Sequence, residues 1–94
     1  MATNLTAGVP YKTNQKKTSS KLLIQVSMGP ETTLYLFGSL NGTDYVQLET
    51  FTADDIKEVS SCPYISFSKT AGDHDDTTSV GAGAGMLVAE LSGY

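Results

Sequence analysis

The sequence predicts an all-β protein, a small antiparallel β-sandwich of about six to eight strands with an extended N-terminal arm. Three observations favour this fold class. Apolar residues alternate at period two over residues 21–28, turn residues separate short apolar segments throughout, and no window of 12 residues has the 3.6-residue recurrence of an amphipathic helix. The 94 residues suffice for one domain. We expect residues 1–20 to form the arm and residues 21–94 to form the sandwich.

The first two strands follow from the placement of apolar residues. The first strand has an apolar residue at every second position, namely Leu22, Ile24, Val26 and Met28. Gly29-Pro30 ends it. The second strand, residues 32–40, is apolar on both faces, with Leu34 and Leu36 on one side and Tyr35 and Phe37 on the other. Such a strand is either central in its sheet or covered by something outside its own domain.

Turn residues place the remaining strands. Asn41-Gly42 predicts a tight hairpin, because both residues tolerate the positive φ angles that such a turn requires. The return strand covers residues 45–51, with Val46 and Leu48 towards the core. Further strands are expected at residues 56–59, at 64–68 after Pro63, and at 80–91, with a polar loop over residues 70–78.

Charge is strongly segregated along the chain. Residues 1–21 contain four lysines and no acid, whereas residues 22–94 contain two lysines and ten acids, within a net charge of −4. A basic terminal segment on an acidic body is typical of interaction tails. We expect the arm to dock on an acidic surface of a neighbouring protein through Lys12, Lys16, Lys17 and Lys21, with Leu5, Val9 and Tyr11 adding apolar contacts. The alternatives are an arm that folds back on its own body and a solvated tail.

Several function classes are disfavoured by composition. The chain has no arginine, so it lacks the guanidinium fork that suits phosphate and guanine, and we expect no nucleic-acid partner. No apolar run exceeds four residues, and no secretory signal is recognisable near Met1, so we expect no membrane partner. One cysteine, Cys62, excludes an intrachain disulfide. The expected setting is a reducing cytoplasm or a particle assembled there.

Two segments invite a ligand-binding interpretation. Gly81, Gly83 and Gly85 do not follow the spacing of a dinucleotide-binding loop, and we expect them to share one face of an extended segment that another chain or sheet approaches closely. A flexible loop is the alternative. In the loop 73–76, Asp73 and Asp75 have the alternation of a calcium loop but lack its glycine and its later glutamate, which favours a solvated acidic loop.

No residue pattern indicates an enzyme. The only histidine, His74, lies within the acidic loop, and no serine is surrounded by the glycines of a nucleophile elbow. We therefore predict a non-enzymatic protein with no catalytic residue, metal or cofactor.

The central hairpin resembles a known group of proteins. Residues 36–48 read LFGSLNGTDYVQL, a strand followed by Gly-Ser-x-Asn-Gly-Thr-x-aromatic and a second strand, and IKEV at 56–59 and PYI at 63–65 follow. This pattern resembles small β-sandwich virion proteins of tailed bacteriophages over residues 21–70. Similar hairpins occur in carbohydrate-binding sandwiches, although there Asp is commoner than Asn41 and Trp is commoner than Tyr45.

The resemblance implies a viral structural protein, a capsid decoration (cement) protein that stabilises the phage head by protein–protein contacts, or another small head or tail component. Its partners would be the major capsid protein or copies of itself, as a homo-oligomer or in many copies within the virion. Protein-binding candidates are then the four arm lysines with Leu5, Val9 and Tyr11, the strand residues Tyr35 and Phe37, and Gly81, Gly83 and Gly85. The alternative is a carbohydrate-binding module that stacks sugars on Tyr35, Tyr45 or Tyr64.

Overall fold

The computed structural model describes residues 2–13, 19–60, 62–77 and 80–92. These residues form eight strands, in chain order β1 (Ala2–Asn4), β2 (Tyr11–Lys12), β3 (Ser19–Ser27), β4 (Leu34–Ser39), β5 (Val46–Phe51), β6 (Asp55–Ser60), β7 (Tyr64–Ser68) and β8 (Gly85–Ser92). They contain no helix, and hence none that could span a membrane. The all-β prediction is confirmed.

The strands form two four-stranded antiparallel sheets. Sheet A has the order β1-β8-β3-β6, and sheet B has the order β2-β7-β4-β5. The inward side chains of both sheets form a single core, whose most buried members are Leu22, Ile24, Val26, Leu34, Leu36, Ile65, Phe67, Met86 and Val88. The two sheets therefore pack face to face as a sandwich.

The first two predicted strands are confirmed in position. In β3 the alternation holds, since Leu22, Ile24 and Val26 are at most 1% exposed. Strand β4 is central in sheet B, between β7 and β5, which is one of the two arrangements that its apolar faces allowed.

The Asn41-Gly42 hairpin forms, but its turn is wider than expected. Residues 40–45 connect β4 to β5, with Gly42 at φ +76°, and a register shift lies between Leu36 and Phe37. The prediction that Val46 faces the core is wrong, because its side chain is 64% exposed. Gly38 pairs with Val46 and carries no side chain, so Leu48 packs over Gly38 instead; a Cβ on Gly38 would lie 2.7 Å from Leu48 Cδ1.

The N-terminal segment is extended but lies on the sandwich. β1 pairs with β8 in sheet A, and β2 pairs with β7 in sheet B. Between them the Leu5 N–H donates to the Met86 carbonyl at 2.9 Å, and the Gly8 N–H donates to the Phe67 carbonyl at 2.7 Å. Residues 2–13 thus contribute to both sheets, so the boundary expected after residue 20 does not separate them from the body.

The predicted glycine face is not an extended segment. Residues 81–84 form a turn, closed by the Ala84 N–H donating to the Gly81 carbonyl at 3.0 Å, and β8 begins only at Gly85. This turn packs against the turn that follows β3, where a Cβ on Gly81 would lie 2.1 Å from Pro30 Cγ. The close approach therefore comes from the chain itself, at Gly81 and Gly29.

Candidate protein-binding surface

The outer face of sheet A is apolar across its strands. Strand pairing aligns Leu23 with Ala89, and Gln25 with both Leu87 and Ile56. The chain neighbours of Leu23, Gln25, Leu87 and Ala89 include buried core residues, so these four side chains point outwards, and Ile56 points to the same side because it pairs with Gln25. Leu23, Leu87 and Ala89 are half-buried, and Ile56 is 63% exposed. We call this surface, together with the neighbouring outward residues Asn4, Lys21, Ser27, Glu58 and Gly85, the A face.

The described charges on the A face cancel. Lys21 and Glu58 lie at one end of it, and Lys21 Nζ is 3.0 Å from Glu58 Oε1. Both side chains are about half exposed, so the pair contributes little to folding stability. The face is thus electrically neutral in a chain that carries a net charge of −4.

A hollow interrupts the A face at the start of β8. Gly85 is one of the residues that line it, and a Cβ added there would meet nothing within 4 Å. Asn4, Gln25, Ser27 and Leu87 surround it, and the cavity measures about 350 Å³. The absence of a side chain at Gly85 therefore leaves space beside the apolar residues.

The outer face of sheet B, in contrast, is covered by the chain itself over parts of β7 and β4. The loop 69–77 crosses it, where Ser66 Oγ donates to the His74 carbonyl at 2.7 Å and Ser68 Oγ donates to the Asp73 carbonyl at 2.6 Å. The His74 ring meets Phe37 edge-on with centroids 6.4 Å apart. Phe37 is only 2% exposed, so this loop covers the second apolar side of β4, and Phe37 is not on the accessible surface.

Three tyrosines lie on or beside this outer face. Tyr35 and Tyr64 occupy outward positions of sheet B, and Tyr45 stacks on the His74 ring at a centroid distance of 3.9 Å. The Tyr45 hydroxyl is buried without a hydrogen-bond partner among the described residues, and burial raises its pKa, with a smaller contribution from Tyr64. One face of the Tyr45 ring is therefore already occupied by His74.

A smaller apolar groove lies at the end of the sandwich that carries the β4–β5 turn. Leu40 is 80% exposed and Val46 is 64% exposed beside half-buried Cys62, and the cavity measures about 330 Å³. Burial raises the pKa of the Cys62 thiol, so the neutral thiol is the favoured form. Asn41 shapes the adjoining turn, because its Oδ1 accepts hydrogen bonds from the backbone of Thr43 and Asp44.

The predicted arm lysines are not brought together by the described structure. Lys12 is exposed on β2, and Lys21 is paired with Glu58 on the A face. Lys16 and Lys17 lie outside the described residues. No shared cationic surface is therefore built by the two lysines that the structure places.

The apolar arm residues have separate environments. Leu5 is 8% exposed and belongs to the core, and Tyr11 is half-buried against it. Val9 is 47% exposed in the connection between β1 and β2. Among these three residues, Val9 alone is exposed, with about half of its surface accessible.

The acidic side chains of the loop make contacts within the loop. A side-chain hydrogen bond between Asp73 and Asp75 raises the pKa of Asp73 and lowers that of Asp75. Thr70 Oγ1 donates to the carboxylate of Asp76. Within residues 2–13, 19–60, 62–77 and 80–92, no three His, Cys, Asp or Glu side chains are arranged to hold a metal ion.

The A face was missed at the sequence level, although a signal was present. In β8, Leu87 and Ala89 alternate with Met86 and Val88, so both faces of this strand are apolar. The same holds at Leu23 in β3.

Comparison of this chain with protein families, with curated proteins and with solved structures finds no match.

Proposed function

We propose that this chain is a viral structural protein, a decoration (cement) protein of a tailed bacteriophage that binds and stabilises the head by protein–protein contacts. The observation that carries the proposal is the neutral, largely apolar A face, which the described part of the chain leaves uncovered, whereas the loop 69–77 covers β4 and β7 on the outer face of sheet B. The hairpin at residues 36–48, with its resemblance to phage virion proteins, supports the viral setting. The site of action is then the virion, assembled in the host cytoplasm.

The A face suits stabilisation by burial. Removing apolar surface from water contributes about 25 cal/mol per Å², and a domain of this length buries a smaller fraction of its surface than a large one. Contact with a neighbouring subunit would therefore stabilise both this chain and the particle. Repetition of the contact over many copies multiplies the stabilisation of the particle.

The test uses phage heads that lack this protein. Purified chain is added, the heads are sedimented, and the bound chain and the thermal transition of the heads are measured. We expect the chain to co-sediment and to raise the transition temperature. Leu87→Lys on the A face should reduce binding at least about tenfold, whereas Thr50→Lys, on the outer side of β5, should leave it unchanged. Heads that neither bind the chain nor gain stability would contradict the proposal.

A carbohydrate-binding function is the second candidate. The observation that favours it is that Tyr35 and Tyr64 share the outer face of sheet B, where aromatic rings could stack on sugars. The stacking of Tyr45 on His74 removes one ring face from this surface. A glycan array probed with wild type and with Tyr64→Ala tests it. Binding that the substitution abolishes would support the candidate, and an array without binding would contradict it.

A further inference from the structure

The A face carries both a projection and a hollow. Ile56 projects from the edge strand β6 with 63% of its surface exposed, and the hollow at Gly85 lies on the other side of β3. A surface with a projecting apolar side chain and a vacant space of about 350 Å³ is able to complement itself.

We propose that the A face binds a second copy of this chain, in a two-fold dimer in which Ile56 of each copy packs at the edge of the Gly85 hollow of the other, against Asn4 and Leu87. This inference rests on the proposed function, since it names a second copy as the partner that occupies the same protein-binding face when the chain is not bound to a head. In this dimer the A faces of the two copies pack against each other about a two-fold axis parallel to the strands.

Strand register supports this geometry. A two-fold axis that runs along the strands between β8 and β3 keeps each residue at its level and reverses the strand order. Strand β6 of one copy then lies over β1 of the other, and β3 lies over β8. Gln25 pairs with both Ile56 and Leu87, and Leu87 pairs with Asn4, so Ile56 arrives at the level of Leu87 and Asn4, which border the hollow.

The charge distribution also favours a second copy. An isologous interface brings identical patches together, so a charged face would repel its own copy. The described charges of the A face are the mutually paired Lys21 and Glu58. A chain of net charge −4 can therefore approach another through this face without a local excess of like charge.

The area of the face suits a weak dimer. Four strands spaced about 4.8 Å apart, over about seven residues of about 3.3 Å each, give roughly 450 Å² per copy. Two copies would bury roughly 900 Å², which is at the lower end of specific interfaces and above most crystal-packing contacts. We therefore expect a dissociation constant of about 1–100 μM.

Sedimentation velocity of the full chain, over a concentration range that spans this dissociation constant, tests the inference. Wild type should convert from monomer to dimer with rising concentration. Ile56→Lys should raise the dissociation constant at least about tenfold. The matched control is Val46→Lys, because Val46 has nearly the same exposure, 64% against 63%, but lies at the β4–β5 turn. It should leave dimerisation unchanged.

Gly85→Val probes the hollow separately. A Cβ at this position meets nothing within 4 Å, so the monomer accommodates the side chain, which then projects into the dimer contact beside Ile56 of the other copy. We expect an unchanged or higher unfolding temperature together with a loss of dimer of at least about tenfold. Dimerisation that persists in Gly85→Val would contradict the inference, and so would a wild type that stays monomeric or forms trimers.

Dimerisation and binding to phage heads are measured separately, so either can fail without the other. A monomeric chain that still co-sediments with phage heads would overturn the dimer and leave the decoration role intact. A dimer that fails to bind heads would support the inference and contradict the decoration role.

Discussion

Gly83 occupies a backbone conformation that other residues rarely adopt. Its φ is +88°, in the turn that precedes β8, and the space above it is open, with Gly29 Cα 3.8 Å from an added Cβ. A substitution here is therefore opposed by backbone strain and not by crowding. The sequence predicts that another part of the protein approaches Gly83 closely. The structure shows open space there, and a substitution at Gly83 is instead disfavoured by the backbone conformation.

We predict that Gly83→Val lowers the free energy of unfolding by about 1–3 kcal/mol, because a β-branched residue at positive φ is strained. Urea denaturation measures the loss. Gly85→Ala is the matched control, two residues further on, with no positive φ and no neighbour within 4 Å of the added Cβ, and it should be neutral or stabilising. Equal stability of Gly83→Val and wild type would show that the turn relaxes without cost.

The second prediction concerns the Cys62 thiol. Its pKa is raised by burial, so at pH 8 the folded chain should be alkylated by iodoacetamide more slowly than the chain unfolded in urea. Because the folded pKa exceeds the unfolded one, this group's contribution to stability is full below the unfolded pKa and declines as pH rises above it. Alkylation rates followed by mass spectrometry test the first statement. Equal rates would contradict it.

Residue types alone predicted some positions correctly and missed others. Asn41-Gly42 was identified as a turn from its conformational preferences, and Gly42 has the expected positive φ. The exposure of Val46 was not predictable, because it depends on Leu48 occupying the space over Gly38. Whether Val46 or Leu48 is buried depends on packing against the neighbouring strand β4, and the sequence of β5 alone does not contain that information.

The loop 69–77 takes the place of an external partner for β4. Its anchors, Ser66 and Ser68, are at most 1% exposed and hold the carbonyls of His74 and Asp73. Leaving a buried carbonyl without its donor costs about 1–3 kcal/mol, so these two serines are the main fixed points of the loop. The loop in turn keeps Phe37 from water.

We predict that Ser68→Ala opens this loop and lowers the unfolding free energy by about 1–3 kcal/mol, because Ser68 Oγ also accepts a hydrogen bond from the Thr70 N–H at 3.3 Å. Trypsin should then cleave after Lys69 faster than in wild type. Thr52→Ala, in the exposed turn after β5, is the control and should not change cleavage. An unchanged cleavage rate in Ser68→Ala would mean that other contacts hold the loop.

The covering role of the loop could not be derived from its composition. Residues 70–78 are polar and acidic, which favoured a solvated loop, and the two buried serines look like ordinary strand residues. The loop is held over Phe37 by hydrogen bonds from Ser66 and Ser68 to backbone carbonyls of the loop. Backbone groups are the same in every residue, so they leave no trace in a sequence pattern.

The two sheets are joined by the N-terminal segment as well as by the core. Strand β1 extends sheet A, β2 extends sheet B, and Leu5 enters the core between them. Lys57 Nζ and Glu49 Oε1, 2.8 Å apart, add an ion pair between β6 and β5, one from each sheet. The segment predicted to reach towards another protein thus supports the chain's own fold.

We predict that Leu5→Ala lowers the free energy of unfolding by about 2–5 kcal/mol, since it leaves a cavity between the sheets. Urea denaturation provides the measurement. Val9→Ala, in the same segment but 47% exposed, is the control and should change stability by less than about 0.5 kcal/mol. A Leu5→Ala chain as stable as wild type would mean that the segment is dispensable to the core.

The docking role of the N-terminal lysines remains a prediction, and it is best tested without deleting the segment that folds into both sheets. We expect simultaneous replacement of Lys12, Lys16, Lys17 and Lys21 by glutamine to weaken binding to phage heads at low salt, by about 0.2–1 kcal/mol per lysine. At high salt the difference from wild type should shrink, because exposed charges are screened over about 8 Å already at 0.15 M. Lys69→Gln, in the acidic body, controls for the loss of a positive charge. Equal affinity of the fourfold variant and wild type at both salt concentrations would exclude an electrostatic contribution from this segment.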